Sequence, residues 1–181
     1  MEKKPTLLLV EDDPNDADLF KLAFKKSYPN ISLQMAGDAT AAIDYLLGTG
    51  IYENREAYPF PYALVVDLTL PGTSGASFIQ WVRVQPHFGK LLIAAWTGSR
   101  QGKDIAHLYR LGANSFLNKA GSDDQLTQDL LDLHEFWHQV GMLVNFTPQV
   151  DYSKKNAAPV ADQFFYRVKD WPEFKPSKPG E

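Results

Sequence analysis

Glu11, Asp12 and Asp13 stand together directly after the apolar run Thr6 to Val10, and Asp67 closes a second apolar run, Ala63 to Val66. Thr97 closes a third, Leu91 to Trp96, and Lys119 comes shortly after Ser115 to Leu117. Carboxylates gathered from separate parts of a chain repel one another unless a cation neutralises them, and an all-oxygen set suits a hard ion such as Mg²⁺. Mg²⁺ keeps water ligands and commonly bridges protein carboxylates to phosphate oxygens, so Glu11, Asp12 and Asp67 taken together point to phosphoryl transfer. An aspartate can itself be the nucleophile and form an acyl phosphate. Lys119 would then neutralise one phosphate oxygen as a point charge, and the Thr97 hydroxyl would donate a hydrogen bond to another. Each residue has a simpler reading when taken alone. The three acids suit a helix N-terminus, and Thr97 suits a helix cap.

The elements that must position these residues are legible in the pattern. The apolar runs ending at Val10, Val66 and Trp96 read as strands buried on both faces, as in a parallel sheet. Asp13-Pro14 reads as an N-cap followed by proline at the first helical position, with Ala17, Phe20, Ala23 and Phe24 at helical spacing. Ile31, Leu33 and Met35 alternate as a strand, and Ala39 to Leu47 reads as a helix closed by Gly48. Phe78, Ile79 and Val82 mark another helix, as do Ile105, Leu108 and Leu111 before Gly112. A last helix carries Leu126, Leu130, Leu133, Trp137, Val140 and Val144 as one stripe. Five strands alternating with five helices predict a doubly wound parallel α/β sheet, in which ligands sit at the carboxyl ends of the strands. Glu11, Asp12, Asp67, Thr97 and Lys119 all fall there.

Of the 181 residues, 44% are hydrophobic and 22% charged, the balance of a packed domain. The length suits one domain with an appendage. A formal net charge of −4 argues against a nucleic-acid footprint. The absence of cysteine excludes disulfides, thiolate metal sites and thiol catalysis. No apolar stretch is long enough for a signal peptide or a membrane span, so the cytoplasm is the expected location and no membrane partner is expected. Asn30-Ile31-Ser32 and Asn145-Phe146-Thr147 match the glycosylation pattern, which without a secretory signal reads as chance.

Three segments carry a resemblance: Leu7-Leu8-Leu9-Val10-Glu11-Asp12-Asp13-Pro14, Val66-Asp67-Leu68-Thr69-Leu70-Pro71-Gly72 with Gly75, and Leu111 through Lys119. In this order and spacing, over residues 6 to about 146, the chain resembles response regulator receiver domains of two-component systems. The resemblance implies a flavodoxin-like sheet of order 2-1-3-4-5. It implies Glu11 and Asp12 as the acidic pair, with Asp12 a direct metal ligand, Asp67 as phospho-acceptor and metal ligand, and the Thr69 carbonyl as a further ligand. Thr97 and Phe116 would be the switch pair. A histidine kinase or phosphotransfer protein would be the donor, a downstream protein the target, and the face from the fourth to the fifth helix a homodimer surface. The long loop Gly48 to Tyr62 and the Phe136-Trp137 end of the last helix look like single-domain receivers that serve phytochrome-type kinases. Two departures are Ala120, where the family usually places proline after its lysine, and Trp96 before Thr97, which is bulkier than the family pattern.

Rival readings are an interaction module with a vestigial site and a metal-dependent hydrolase. His134-Glu135-Phe136-Trp137-His138 matches the zinc motif H-E-x-x-H, but with no evident third ligand. Gly98 to Asp104 is one residue short of a P-loop and lacks its terminal Ser or Thr. Aspartyl-phosphate hydrolases usually carry D-x-D, whereas Asp67 is followed by Leu68 and Thr69. The first domain is expected to span 1–146 and an extension 147–181. Within that extension Ala161, Phe164, Phe165, Val168 and Trp171 fall at helical spacing, which predicts an amphipathic segment that docks on the domain or on a partner.

Overall fold

The computed structural model describes residues 5–98, 102–119 and 121–139. The chain divides into units of residues 1–149 and 150–181, and every described residue belongs to the first. In chain order the elements are β1 (Thr6–Val10), α1 (Pro14–Ser27), β2 (Ser32–Ala36), α2 (Ala39–Leu47) and a short 3-10 turn (Gly50–Tyr52). Then come β3 (Ala63–Asp67), α3 (Gly75–Val84), β4 (Leu92–Thr97), α4 (Gly102–Leu111), β5 (Ser115–Asn118) and α5 (Asp123–Gln139).

The strands form one parallel sheet in the order β2-β1-β3-β4-β5. Strands β1, β3 and β4 are buried along their whole length, which is why their sequences run apolar without alternation. At the sheet edge, β2 is only half-buried from Ser32 to Met35. The strand order reverses between β1 and β3, which puts the switch point between Val10 and Val66. Glu11 and Asp67 follow from those two positions.

Local chemistry starts the helices where the sequence predicts. Asp13 caps α1, its side chain accepting from the Asn15 and Asp16 amides at 2.7 and 3.2 Å, with Pro14 next. Gly48 ends α2 with φ of 70°, a left-handed conformation that costs glycine little. The predicted stripe of α5 is buried at Leu126, Leu130, Leu133 and Trp137 and packs with Phe20 of α1 on one face of the sheet. Full burial of such a side chain contributes about 1.5 to 3 kcal/mol. Val140 and Val144 lie outside the described residues, as do Ala120 and the segment 147–181.

Two arginines organise what the hydrophobic pattern leaves open. In the long loop after α2, Arg55 donates to the carbonyls of Tyr45 and Leu46 at 2.7 and 2.9 Å. With the Gly48 amide, which also reaches the Tyr45 carbonyl at 3.2 Å, it satisfies acceptors at the helix end. Its guanidinium stands 5.9 Å from the Tyr45 ring centroid, and Tyr45, Tyr52 and Tyr58 pack against one another. On α3, Arg83 donates to the carbonyls of Gly112 at 2.7 Å, Gly89 at 3.1 Å and Leu91 at 2.7 Å, and to Asn114 Oδ1 at 2.8 Å. Asn114 Oδ1 also accepts from the Ile93 amide at 2.9 Å, so this cluster joins α3, β4 and the entry to β5.

Candidate functional site

Asp67 and Thr97 are the last residues of their strands, and both take part in the ladder: Asp67 is the register partner of Trp96, and Thr97 of Asn118. The Lys119 amide donates to the Thr97 carbonyl at 2.9 Å. Backbone pairing thus fixes Asp67, Thr97 and Lys119 relative to one another. Glu11 is held on the other side by its amide, which donates to the Ala36 carbonyl at 3.0 Å.

Gly75 sets how closely α3 approaches. A Cβ at this position would lie 1.8 Å from the Asp67 carbonyl oxygen, so the helix start meets the end of β3 at a distance only glycine permits. Ser74 caps the helix through the Ser77 amide at 3.2 Å.

Asp67 is 3% exposed and Glu11 4%. Buried carboxylates need donors. Thr69 supplies Asp67 Oδ1 with its amide at 3.0 Å and its hydroxyl at 2.9 Å. The Lys119 ammonium lies 2.9 Å from Asp67 Oδ2, 2.7 Å from Glu11 Oε2 and 2.8 Å from Asp16 Oδ2. Glu11 Oε1 accepts from the Asp13 amide at 3.0 Å. Burial pushes the Glu11 carboxyl above its ordinary value, against the opposing pull of Lys119. Burial alone would lower Lys119, but its hydrogen bonds to Asp16, Glu11 and Asp67 prevail and raise it.

Carboxylate oxygens of Glu11, Asp12 and Asp67 lie within 4.8 Å of one another, and Asp12 is exposed. This is an all-oxygen donor set with an open side, and it fits a hard divalent cation that keeps some of its waters. Glu11, Asp16 and Asp67 all contact the Lys119 ammonium, and Asp12 adds a fourth carboxylate beside Glu11 and Asp67. Excess negative charge of that kind favours a cation. Thr97 is buried and Phe116 half-buried on β5.

The sequence pattern of the response regulator receiver domain family matches residues 7–131. The chain belongs to this family. It is 28% identical to response regulator Rcp1 of Synechocystis sp. over 131 residues, which cover 72% of this chain and 87% of that protein. The Mn²⁺-bound form of Rcp1 superposes with a TM-score of 0.64, covering 75% of this chain and 94% of that one. A phosphorylated cyanobacterial phytochrome response regulator, RcpA, gives a TM-score of 0.66 at 26% identity, covering 76% of this chain and 96% of that one. The bacteriophytochrome response regulator AtBRR is 34% identical with a TM-score of 0.63, covering 75% of this chain and 96% of that one. The receiver domain is therefore similar to phytochrome response regulators in sequence and structure. Sheet order and fold are as the resemblance implied.

The competing motifs gain nothing from the geometry. The His134 ring meets that of Tyr28 at a tilt of 56° with centroids 5.1 Å apart, and the side chain of His138 lies outside the described residues. Among the described residues, the carboxylates of Glu11, Asp12 and Asp67 form the one cluster that could hold a metal. The P-loop-like stretch includes residues 99–101, which also lie outside. Where a D-x-D hydrolase would place its second acid stands Thr69, whose hydroxyl bonds Asp67. Among the described residues, no helix is long and apolar enough to cross a membrane.

The sequence pattern assigns no role to two residues near Lys119, Asp16 and Trp96. Asp16 lies in the first turn of α1, and its Oδ2 stands 2.8 Å from the Lys119 ammonium. Trp96 lies with its ring centroid 4.8 Å from the Lys119 ammonium. Its bulk is visible in the sequence, but its contact with Lys119 follows only from the register of β4 with β5.

Proposed function

We propose that this protein is a phospho-accepting response regulator in which a histidine kinase phosphorylates Asp67. The observation that carries the reading is the buried Asp67 carboxylate paired at 2.9 Å with Lys119 beside the acids Glu11 and Asp12. In the transfer, an Asp67 carboxylate oxygen forms a bond to phosphorus as the donor's phosphorus–nitrogen bond breaks, and the imidazole leaves with the electron pair. A bound Mg²⁺ would be held by Glu11, Asp12, Asp67 and the Thr69 carbonyl, and would supply charge neutralisation of the phosphoryl oxygens. Lys119 pairs with one phosphoryl oxygen, and the Thr97 hydroxyl donates to another. Phe116 then turns inward and alters the surface of α4 and β5.

Similarity to phytochrome response regulators supports a phytochrome-type kinase as donor, directly or through a phosphotransfer protein. Output passes through protein contacts in the cytoplasm, with the extension 147–181 an appendage of the receiver domain 1–146. Exposed Tyr109 on α4 and Leu131 and Phe136 on α5 offer apolar surface for a downstream target or for a homodimer through the α4 to α5 face. Incubation of the full chain with a small phosphodonor and Mg²⁺ tests the reading. A mass gain of one phosphoryl group that is absent in Asp67→Ala is expected, and no gain in the wild-type chain contradicts it.

A further inference from the structure

Trp96 is fully buried on β4, directly across the ladder from Asp67 and one residue before Thr97. Phe20 meets its ring edge-on, with centroids 5.1 Å apart. The Lys119 ammonium lies 4.8 Å from the indole centroid, within the range of a cation–π contact. The indole N–H has no hydrogen-bond partner among the described residues. A buried donor without a partner is a cost that phenylalanine would avoid at the same core position. What the indole supplies in return is its ring face, the strongest cation–π surface among the side chains.

That face becomes decisive when the site is in use. The ammonium is shared by three carboxylates, of which Glu11 and Asp67 are buried and Asp16 is 37% exposed at its side chain. A cation bound by Glu11 and Asp67 would weaken their attraction for Lys119, while that of Asp16, the outer carboxylate on α1, would be less affected. Attraction to Asp16 alone would draw the ammonium outward, away from the acceptor. The indole cannot be claimed by a metal ion, and it lies on the inner side, against the core.

We infer that Trp96 is a positioning residue for phosphoryl transfer, holding the Lys119 ammonium beside Asp67 through its ring face. The inference rests on Asp67 being the phospho-acceptor. Without the ring face, nothing on the inner side offsets the pull of Asp16, whose Oδ2 is already 2.8 Å from the ammonium, so the step in which Lys119 must meet a phosphoryl oxygen slows. A contact of this type corresponds to about a 2- to 30-fold change in rate.

The test compares Trp96→Phe with Trp96→Met in the full chain, using acetyl phosphate and Mg²⁺ and following the rate of phosphorylation. The two replacements are close in size and leave similar space in the core, but only phenylalanine keeps a ring face. The expected order is wild type, then Trp96→Phe, then Trp96→Met. Equal rates for the two variants in a chain whose wild type is phosphorylated overturn this inference alone. A wild-type chain that takes up no phosphoryl group overturns the acceptor reading and this inference with it. Fluorinated tryptophans placed at position 96 preserve the shape while weakening the ring face. They give a second reading should either variant fold poorly: a graded fall in rate with fluorination supports the role of Trp96, and an unchanged rate overturns it.

Discussion

Gly75 stands so close to Asp67 that a single added methyl group would lie 1.8 Å from the Asp67 carbonyl oxygen. The start of α3 and the end of β3 therefore share one position, which belongs to the site as much as to the fold. In Gly75→Ala either the helix start or the strand end must shift. Overpacking of this kind costs about 1 to 3 kcal/mol, and more where backbone is met. Denaturant unfolding should show a loss in that range, and phosphorylation of whatever remains folded should be slower than wild type. An unchanged midpoint would mean that α3 can slide away freely.

The Lys119 ammonium pairs with Glu11, Asp16 and Asp67. Lys119→Met leaves Glu11 and Asp67 buried without it, and breaking a buried pair in this way costs about 3 to 5 kcal/mol. The repulsion left behind strengthens the attraction for a divalent cation, so Mg²⁺ should raise the melting temperature of Lys119→Met more than that of the wild type. Equal Mg²⁺ shifts in thermal unfolding would disconnect the lysine from the metal site.

Burial raises the phenols of Tyr28, Tyr45 and Tyr62 well above their ordinary value. The Tyr28 hydroxyl donates to the Leu130 carbonyl and that of Tyr45 to the Pro59 carbonyl, bonds that a phenolate could not make. A folded-state pKa above the unfolded one gives stability that is fully present below the unfolded value, about pH 10. That stability is lost as pH rises from there towards the folded value. Stability should hold up to about pH 10 and fall beyond it, with tyrosinate absorbance rising together with unfolding. Ionisation of these three tyrosines in a chain that stays folded would contradict the burial account.

Arg83→Met removes donors from three carbonyls and from Asn114. The expected loss is about 3 kcal/mol or more, with Arg83→Lys rescuing little because an ammonium cannot reproduce the planar fork. Urea midpoints of the two variants check this, and a lysine variant close to wild type would assign the cluster to charge alone.

How far the sequence discloses this molecule depends on the range of the interaction. The apolar runs before Glu11, Asp67 and Thr97 name their strands because burial on both faces leaves no polar position in them. Asp13, Pro14 and Gly48 name helix ends because their chemistry is local. Motif order then brings Glu11, Asp12, Asp67 and Lys119 to one place. Strand bounds shift by a residue: Thr97 lies within β4, and β2 runs from Ser32, not Ile31. The roles of Arg55 and Arg83 are hidden, since nothing in a lone arginine tells which distant carbonyls it will satisfy. Asp16 and Trp96 are hidden for a related reason: their meeting with Lys119 depends on strand register and helix placement.

The central claim is that Asp67 carries the phosphoryl group as an acyl phosphate. Borohydride reduces an aspartyl phosphate to homoserine, so phosphodonor-treated protein should be reduced and its peptides weighed. The account predicts homoserine at position 67, dependent on Mg²⁺ and absent from untreated chain. Phosphate retained on another residue, with Asp67 unreduced, would contradict it.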